Sequence, residues 1–165
     1  NLLREILTDM DEMAKLLSSA LGIEVKPAAS TSRYLRFSFP ELEDRFQVLR
    51  KGRSQWAGET ASIILLEVYR SDDGITAAVV VGPADGAPEF RRRLIEAMNE
   101  NDGGNRRSGQ SGWSHNWQTT LDEHMLAEAS ISEKNRMALL SNQIGESMRE
   151  VLHSKLPSLL ERATL

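Results

Sequence analysis

The stretch Ser62-Ile63-Ile64-Leu65-Leu66-Glu67-Val68-Tyr69-Arg70-Ser71-Asp72-Asp73-Gly74-Ile75-Thr76-Ala77-Ala78-Val79-Val80-Val81-Gly82-Pro83 decides the fold. Ile63 to Tyr69 is an apolar, β-branched run and reads as a strand. Asp72-Asp73-Gly74 reads as a tight hairpin turn, because such turns need positive φ and glycine supplies it without a Cβ clash. Ile75 to Val81 is the returning strand. Gly82-Pro83 stops it, since proline has no N–H to give to a ladder. This hairpin is the most apolar part of the chain, and the expectation places it at the centre of a sheet.

Downstream, Pro88 suits the first position of a helix, where its missing N–H costs nothing. The helix from Pro88 to Glu100 buries Phe90, Leu94, Ala97 and Met98. Arg91, Arg92 and Arg93 are consecutive, so they fan over roughly 200° and form no single clamp; they read as a solvated face. Residues 99–112 are polar and glycine-rich, with Arg106 and Arg107. Such a segment buries too little apolar surface to offset its ordering entropy, and a flexible loop is expected. From Trp113 to Leu121 the pattern alternates, placing Trp113, His115, Trp117, Thr119 and Leu121 on one buried strand face. Asp122 to Ile131 reads as a connection. Ser130 and Glu133 fit a capping box that opens a long helix. Met137, Leu140, Ile144, Met148, Val151 and Leu152 carry that helix to about Ser154. Pro157 disfavours helical geometry at Leu156, so a break or kink is expected there, before a last helical turn or two.

Upstream, Leu2, Leu3, Ile6, Leu7, Met10, Met13, Leu17 and Leu21 predict one helix over 2–21, closed by Gly22. Its acidic residues Asp9, Asp11 and Glu12 read as a solvated face, since they do not converge on one point. Ile23 to Lys26 suggests a short strand. Tyr34 to Phe39 alternates and predicts a half-buried strand with Leu35, Phe37 and Phe39 inward. Pro40 ends it. Glu41 to Lys51 leans to helix on Leu42, Phe46 and Leu49, with a strand as the alternative. Trp56 reads as a lid over the core edge. The fold class expected is α+β: a mostly antiparallel four- or five-stranded sheet with the N-terminal and long C-terminal helices packed on one face.

Length and composition bound the function. The 165 residues suffice for one domain with a real core. A net charge of −4 argues against a dedicated nucleic-acid binder, although a local basic patch can still serve. The chain has no cysteine, which excludes disulfides, thiolate metal sites and a cysteine nucleophile, and fits a cytoplasmic protein. No apolar run approaches the ~20 residues that span a bilayer. The chain opens on Asn1, not Met, and a fragment of a longer protein is expected.

The motifs of common chemistries are incomplete. Asp102-Gly103-Gly104-Asn105 lacks the lysine and the following helix of a phosphate-binding loop. His115, His124 and His153 share no metal-ligand spacing. His124 beside Asp122 and Glu123 reads as a surface histidine, because adjacent residues rarely converge and no activated serine stands near. His115 reads as a core histidine with one hydrogen-bond partner. Its rival reading has Trp113, His115 and Trp117 lining a groove beside Arg106 and Arg107, where bases of a single strand could stack. A metal-dependent nuclease needs an acidic residue and then Asp/Glu-x-Lys on a neighbouring strand. Glu67-Val68-Tyr69 offers no lysine, so the expectation is that this chain does not cut phosphodiesters. No cofactor is expected.

Tyr34-Leu35-Arg36-Phe37, the Trp56 loop, Leu65-Leu66-Glu67, Asp73-Gly74, Val80-Val81-Gly82-Pro83, Phe90-Arg91-Arg92-Arg93-Leu94, Trp113 to Leu121 and Leu156-Pro157 form a pattern over nearly the whole chain. It resembles the C-terminal region of bacterial PD-(D/E)XK nuclease superfamily proteins of the restriction and phage-defence type. The superfamily's catalytic motif is matched nowhere, so no catalytic residue carries over. The resemblance implies a non-catalytic accessory domain that binds target or holds a dimer, with the nuclease half upstream of Asn1. The alternative is a free-standing protein-binding adaptor or chaperone-like regulator; an enzyme using His115 or His124 is a third reading. DNA, a protein partner or a second copy are the expected partners. Arg33, Arg36, Arg91, Arg92, Arg106, Arg107, Trp113 and Trp117 are the candidate nucleic-acid contacts.

Overall fold

Glu67 and its neighbours lie in the middle strand of a five-stranded antiparallel sheet whose spatial order follows the chain. The computed structural model describes residues 1–52, 61–100, 112–128 and 133–165. The strands are β1 (Lys26–Pro27), β2 (Tyr34–Ser38), β3 (Ile64–Ser71), β4 (Gly74–Val81) and β5 (Ser114–Leu121). The helices are α1 (Leu2–Thr8), α2 (Met10–Leu21), α3 (Pro40–Arg45), α4 (Pro88–Glu100), α5 (Glu123–Glu128), α6 (Glu133–Glu150) and α7 (Leu156–Thr164). This is the expected α+β arrangement.

The hairpin forms as its turn chemistry requires. Ser71 pairs with Gly74 across Asp72-Asp73, and Gly74 takes φ 142°. A Cβ on Gly74 would stand 2.3 Å from the Leu121 carbonyl oxygen, so the next strand could not pass so close beside any other residue. α4 begins at Pro88 and buries Phe90, Leu94, Ala97 and Met98 as its spacing predicts. It ends at Glu100, so Asn99 and Glu100 belong to the helix and not to the loop expected over 99–112; residues 101–111 lie outside the described set.

Every described helix from α1 to α7 sends side chains into one apolar cluster on one face of the sheet. There it meets Leu35 and Phe37 of β2, Ile64, Leu66 and Val68 of β3, and Ala77, Val79 and Val81 of β4. α6 crosses α2 closely: a Cβ on Gly145 would meet the Ala20 carbonyl oxygen at 2.7 Å. No described helix is long and apolar enough to cross a membrane.

Several local expectations are corrected. The helix over 2–21 is two helices, because Asp9 leaves helical geometry at φ −143° and ψ 55° while Gly22 caps the second in the left-handed region. The short strand expected at Ile23 to Lys26 is only Lys26–Pro27. Glu41 to Lys51 is helical as expected but in two pieces, α3 up to Arg45 and a 3-10 turn at Gln47–Arg50, separated by Phe46 at φ −123° and ψ 80°. The Asp122 to Ile131 connection contains α5; Asp122 Oδ1 accepts the His124 backbone N–H, which explains that acidic pair as a helix start. Pro157 does not break the last helix. Leu156 stays helical at φ −64° and ψ −47°, and its N–H donates to the Val151 carbonyl five residues back. The wide π turn Val151–Lys155 makes room for the proline ring, and helical geometry passes without interruption into α7. Ser130 of the expected capping box, Arg53 and Trp56 lie outside the described residues.

Candidate nucleic-acid interface

The opposite face of the sheet receives no helical side chain into its apolar cluster among the described residues. That cluster is Leu65, Ala78 and Val80, flanked by Ala28, Tyr69 and Trp113. Strand alternation puts Tyr34 and Arg36 of β2 on this side, with Glu67, Tyr69 and Ser71 of β3 and Thr76 of β4. Arg36 stands directly opposite Glu67 in the ladder, and Glu67 opposite Ala78. His115 of β5 stands opposite Val80.

Glu67 organises this face. A carboxylate at the centre of an apolar strand must find partners or pay a heavy desolvation cost. Its side chain is 2% exposed; Oε2 accepts from Arg36 Nε at 3.0 Å, and Oε1 contacts His115 Nε2 at 2.9 Å. The second contact reaches over β4, which is possible because Ala78 leaves space between Glu67 and the outer strand. The Arg36 guanidinium lies 4.5 Å from the Trp113 ring centroid and 5.6 Å from that of Tyr34. The His115 ring meets Tyr69 edge-on at 5.5 Å, and Tyr69 lies 6.2 Å from Tyr34. Gln118 donates to the Tyr69 hydroxyl at 3.3 Å. Burial, and then the neighbouring Glu67 carboxylate, push the Tyr69 phenol above its ordinary range, so it stays neutral. Toward the hairpin turn the face continues as a hydroxyl ladder, Ser71 to Thr76 at 2.7 Å and Thr76 to Thr120 at 2.8 Å.

At the other end the Trp113 indole packs against Gly82; a Cβ there would sit 2.7 Å from the ring. Arg91 braces this corner. Its Nε donates to the Gly82 carbonyl at 2.9 Å, and a terminal nitrogen donates to the Gly112 carbonyl.

The candidate residues therefore separate. Arg36 and Trp113 come together. Arg33 is exposed in the turn leading into β2. Arg91 is 6% exposed and tied to backbone carbonyls, so its reading as a solvated side chain is corrected: its phase on α4 aims it at the end of β4. Arg93 likewise donates to the Ala163 carbonyl at 2.9 Å. Arg92 is the solvated member, paired with Glu89 and Glu96. Arg106 and Arg107 lie outside the described residues. Trp117 is on the wrong side for the expected stripe. Its φ of 47° marks a bulge where Trp117 and Gln118 oppose Ala78, so register passes from Asn116 opposite Val79 to Thr119 opposite Ala77. The bulge reverses the alternation: His115 faces the helix-free side, while Trp117, Thr119 and Leu121 face the helices. Thr119 Oγ1 accordingly accepts from Gln143 and Ser147 of α6.

His115 has its one expected hydrogen-bond partner, but on the helix-free face and 27% exposed, not in the core. Sequence reasoning missed Tyr34 and Tyr69 as parts of the cluster, and treated Glu67 only as a nuclease carboxylate without its lysine. The available signal was Glu67 itself, a charge inside Leu65-Leu66-Glu67-Val68.

Tyr69 stands where the lysine of a nuclease motif would be, and Glu67 has both oxygens engaged. Among the described residues no three His, Asp or Glu side chains converge as a metal site. What the arrangement offers is ring faces and edges of four aromatic or imidazole groups around a charge-neutral Arg–Glu pair. Such a surface suits planar groups. Comparison of the chain with family models, with curated proteins and with solved structures finds no match.

Proposed function

We propose that this chain is a non-catalytic binding module of a larger bacterial protein, of the defence-nuclease kind, and that it engages an unpaired nucleic-acid strand on the helix-free face of its sheet. The observation that carries the reading is the Tyr34, Arg36, Tyr69, Trp113 and His115 cluster, spread over three strands and held from beneath by Glu67. Base stacking on such rings is worth about 1–3 kcal/mol per base and tolerates any sequence. Phosphate attraction is secondary, because Glu67 neutralises Arg36. The nuclease association rests on the sequence resemblance. The experiment is fluorescence anisotropy of labelled single-stranded and duplex oligonucleotides across a salt series. Binding of the single strand in preference to the duplex, with a log–log salt slope shallower than about −2, supports the reading. Duplex preference with a steep slope, or no binding at low salt, contradicts it.

A second reading, a protein-binding adaptor, is favoured by β5. Among the described strands it is the outermost, beyond β4, and an extended peptide can add to such an edge. Absence of oligonucleotide binding, with capture of one protein partner, would favour it.

A further inference from the structure

We propose that His115 is the residue through which this face takes a phosphodiester, and that the contact forms with uptake of one proton. The inference rests on the strand-binding reading above and adds the chemistry of one contact to it.

The tautomer carries the argument. Glu67 is buried, and as a carboxylate it only accepts; the 2.9 Å contact to Oε1 therefore needs the hydrogen on Nε2 of His115. A neutral imidazole so placed has an unprotonated Nδ1. That nitrogen makes no hydrogen bond to the described residues, and the ring is 27% exposed. Its lone pair is an acceptor, and a phosphodiester oxygen is also an acceptor, so the neutral ring and the phosphate repel. Protonation of Nδ1 turns the same atom into a charged donor aimed away from Glu67, and the contact becomes a charge-assisted hydrogen bond.

The charge count agrees. Among the described residues, the groups that face His115 are Glu67 and Tyr69 on β3 and Arg36 on β2, with Ala78 and Val80 of β4, Gln118 of its own strand and Trp113 just before that strand uncharged. Arg36 and Glu67 cancel, and Tyr69 is held neutral. Counted over these described groups, the cluster carries no net charge with His115 neutral and one positive charge with it protonated, matching one phosphodiester. Histidine is the side chain that changes charge between pH 5 and 8, so the face recruits its ligand more strongly on acidification.

The test measures the affinity of a labelled unpaired thymidine 12-mer from pH 5.5 to 8.5 at fixed ionic strength. The expected result is tightening on acidification, with a slope approaching tenfold per pH unit, the limit for one proton. His115→Gln should lose that slope, and a 12-mer with an uncharged methylphosphonate backbone should show none with the wild-type protein. Arg92→Ala, far from the face, should keep it. Calorimetric titration of the wild-type chain in two buffers of different ionisation enthalpy reads the proton directly, without relying on a variant that must fold; uptake of up to one proton at pH 7 is expected. Binding that is independent of pH, that tightens on alkalinisation, or that keeps its slope in His115→Gln overturns this inference and leaves the strand-binding reading standing. No binding at any pH overturns both.

Discussion

Replacing Glu67 by alanine should destabilise the fold more than any surface change, and the geometry sets the size. The carboxylate is 2% exposed and the Arg36 side chain 11% exposed. Alanine at 67 removes the carboxylate that the Arg36 guanidinium donates to, and breaking a buried pair in this way costs about 3–5 kcal/mol. Stacking on Trp113 and Tyr34 still holds the cation and offsets roughly 1 kcal/mol of that. His115 also loses its partner, but at 27% exposure water replaces the bond cheaply. The net expectation is a loss of about 3 kcal/mol, a large share of the ~5–15 kcal/mol that stabilises an ordinary domain. Urea unfolding followed by circular dichroism at pH 7.5 measures it; a Tm lower by about 6–12 °C should accompany it. The decisive variant is the double one. With Arg36→Met and Glu67→Met together both charges of the pair are gone, and stability should return to within about 1 kcal/mol of wild type. A single variant that loses less than about 1 kcal/mol, or a double variant no more stable than Glu67→Ala, would refute the claim that Glu67 holds the face together through Arg36.

Three further outcomes follow from other parts of the fold. Glu43 of α3 is 4% exposed and its Oε2 has no hydrogen-bond partner among the described residues; burial, against a hydrogen bond from Ser62, raises its pKa above the ordinary 4.5. The folded state therefore favours the protonated form, so the stability it gives is complete below pH 4.5 and is lost as pH rises through the raised value. Glu43→Gln should raise the urea midpoint at pH 7, and the gain should vanish below pH 4.5; a gain that grows on acidification would contradict the sign. Arg91→Ala should cost roughly 2–4 kcal/mol, since it strips two carbonyls of a charged donor, while Arg92→Ala should leave the urea midpoint unchanged. Equal effects would return both to a solvated face. Gly82→Ala should cost about 1–3 kcal/mol and shift Trp113 fluorescence, because the new methyl overlaps the indole; an unchanged spectrum would show that Trp113 is not seated there.

Much of this fold was legible because it is written locally. The Asp72-Asp73-Gly74 turn, the apolar runs on either side and the Pro88 helix start each depend on a few neighbouring residues, and each appears as read. The errors arise where a distant element decides. Nothing in Trp113 to Leu121 announces the bulge at Trp117, since an alternating sequence looks the same with or without one extra residue opposite Ala78. Arg91, Arg92 and Arg93 are chemically alike, and only the phase of α4 over the end of β4 separates a buried brace from a solvated ion pair. Pro157 did forecast an irregularity, but the chain absorbs it upstream in a π turn, where packing of Val151 and Leu152 keeps the helix on the core. The site was half legible: Arg36 and Trp113 could be singled out, whereas the Glu67–His115 contact spans an intervening strand and no spacing rule reports it.

The most direct test of the helix-free face as a binding surface is chemical-shift mapping of the isotopically labelled chain with an unpaired thymidine 12-mer. The largest changes should fall on Tyr34, Arg36, Tyr69, Trp113 indole and His115 imidazole signals, with α2, α6 and α7 silent. Changes confined to the helices or to the Arg92 side of α4, or none at saturating ligand, would contradict it.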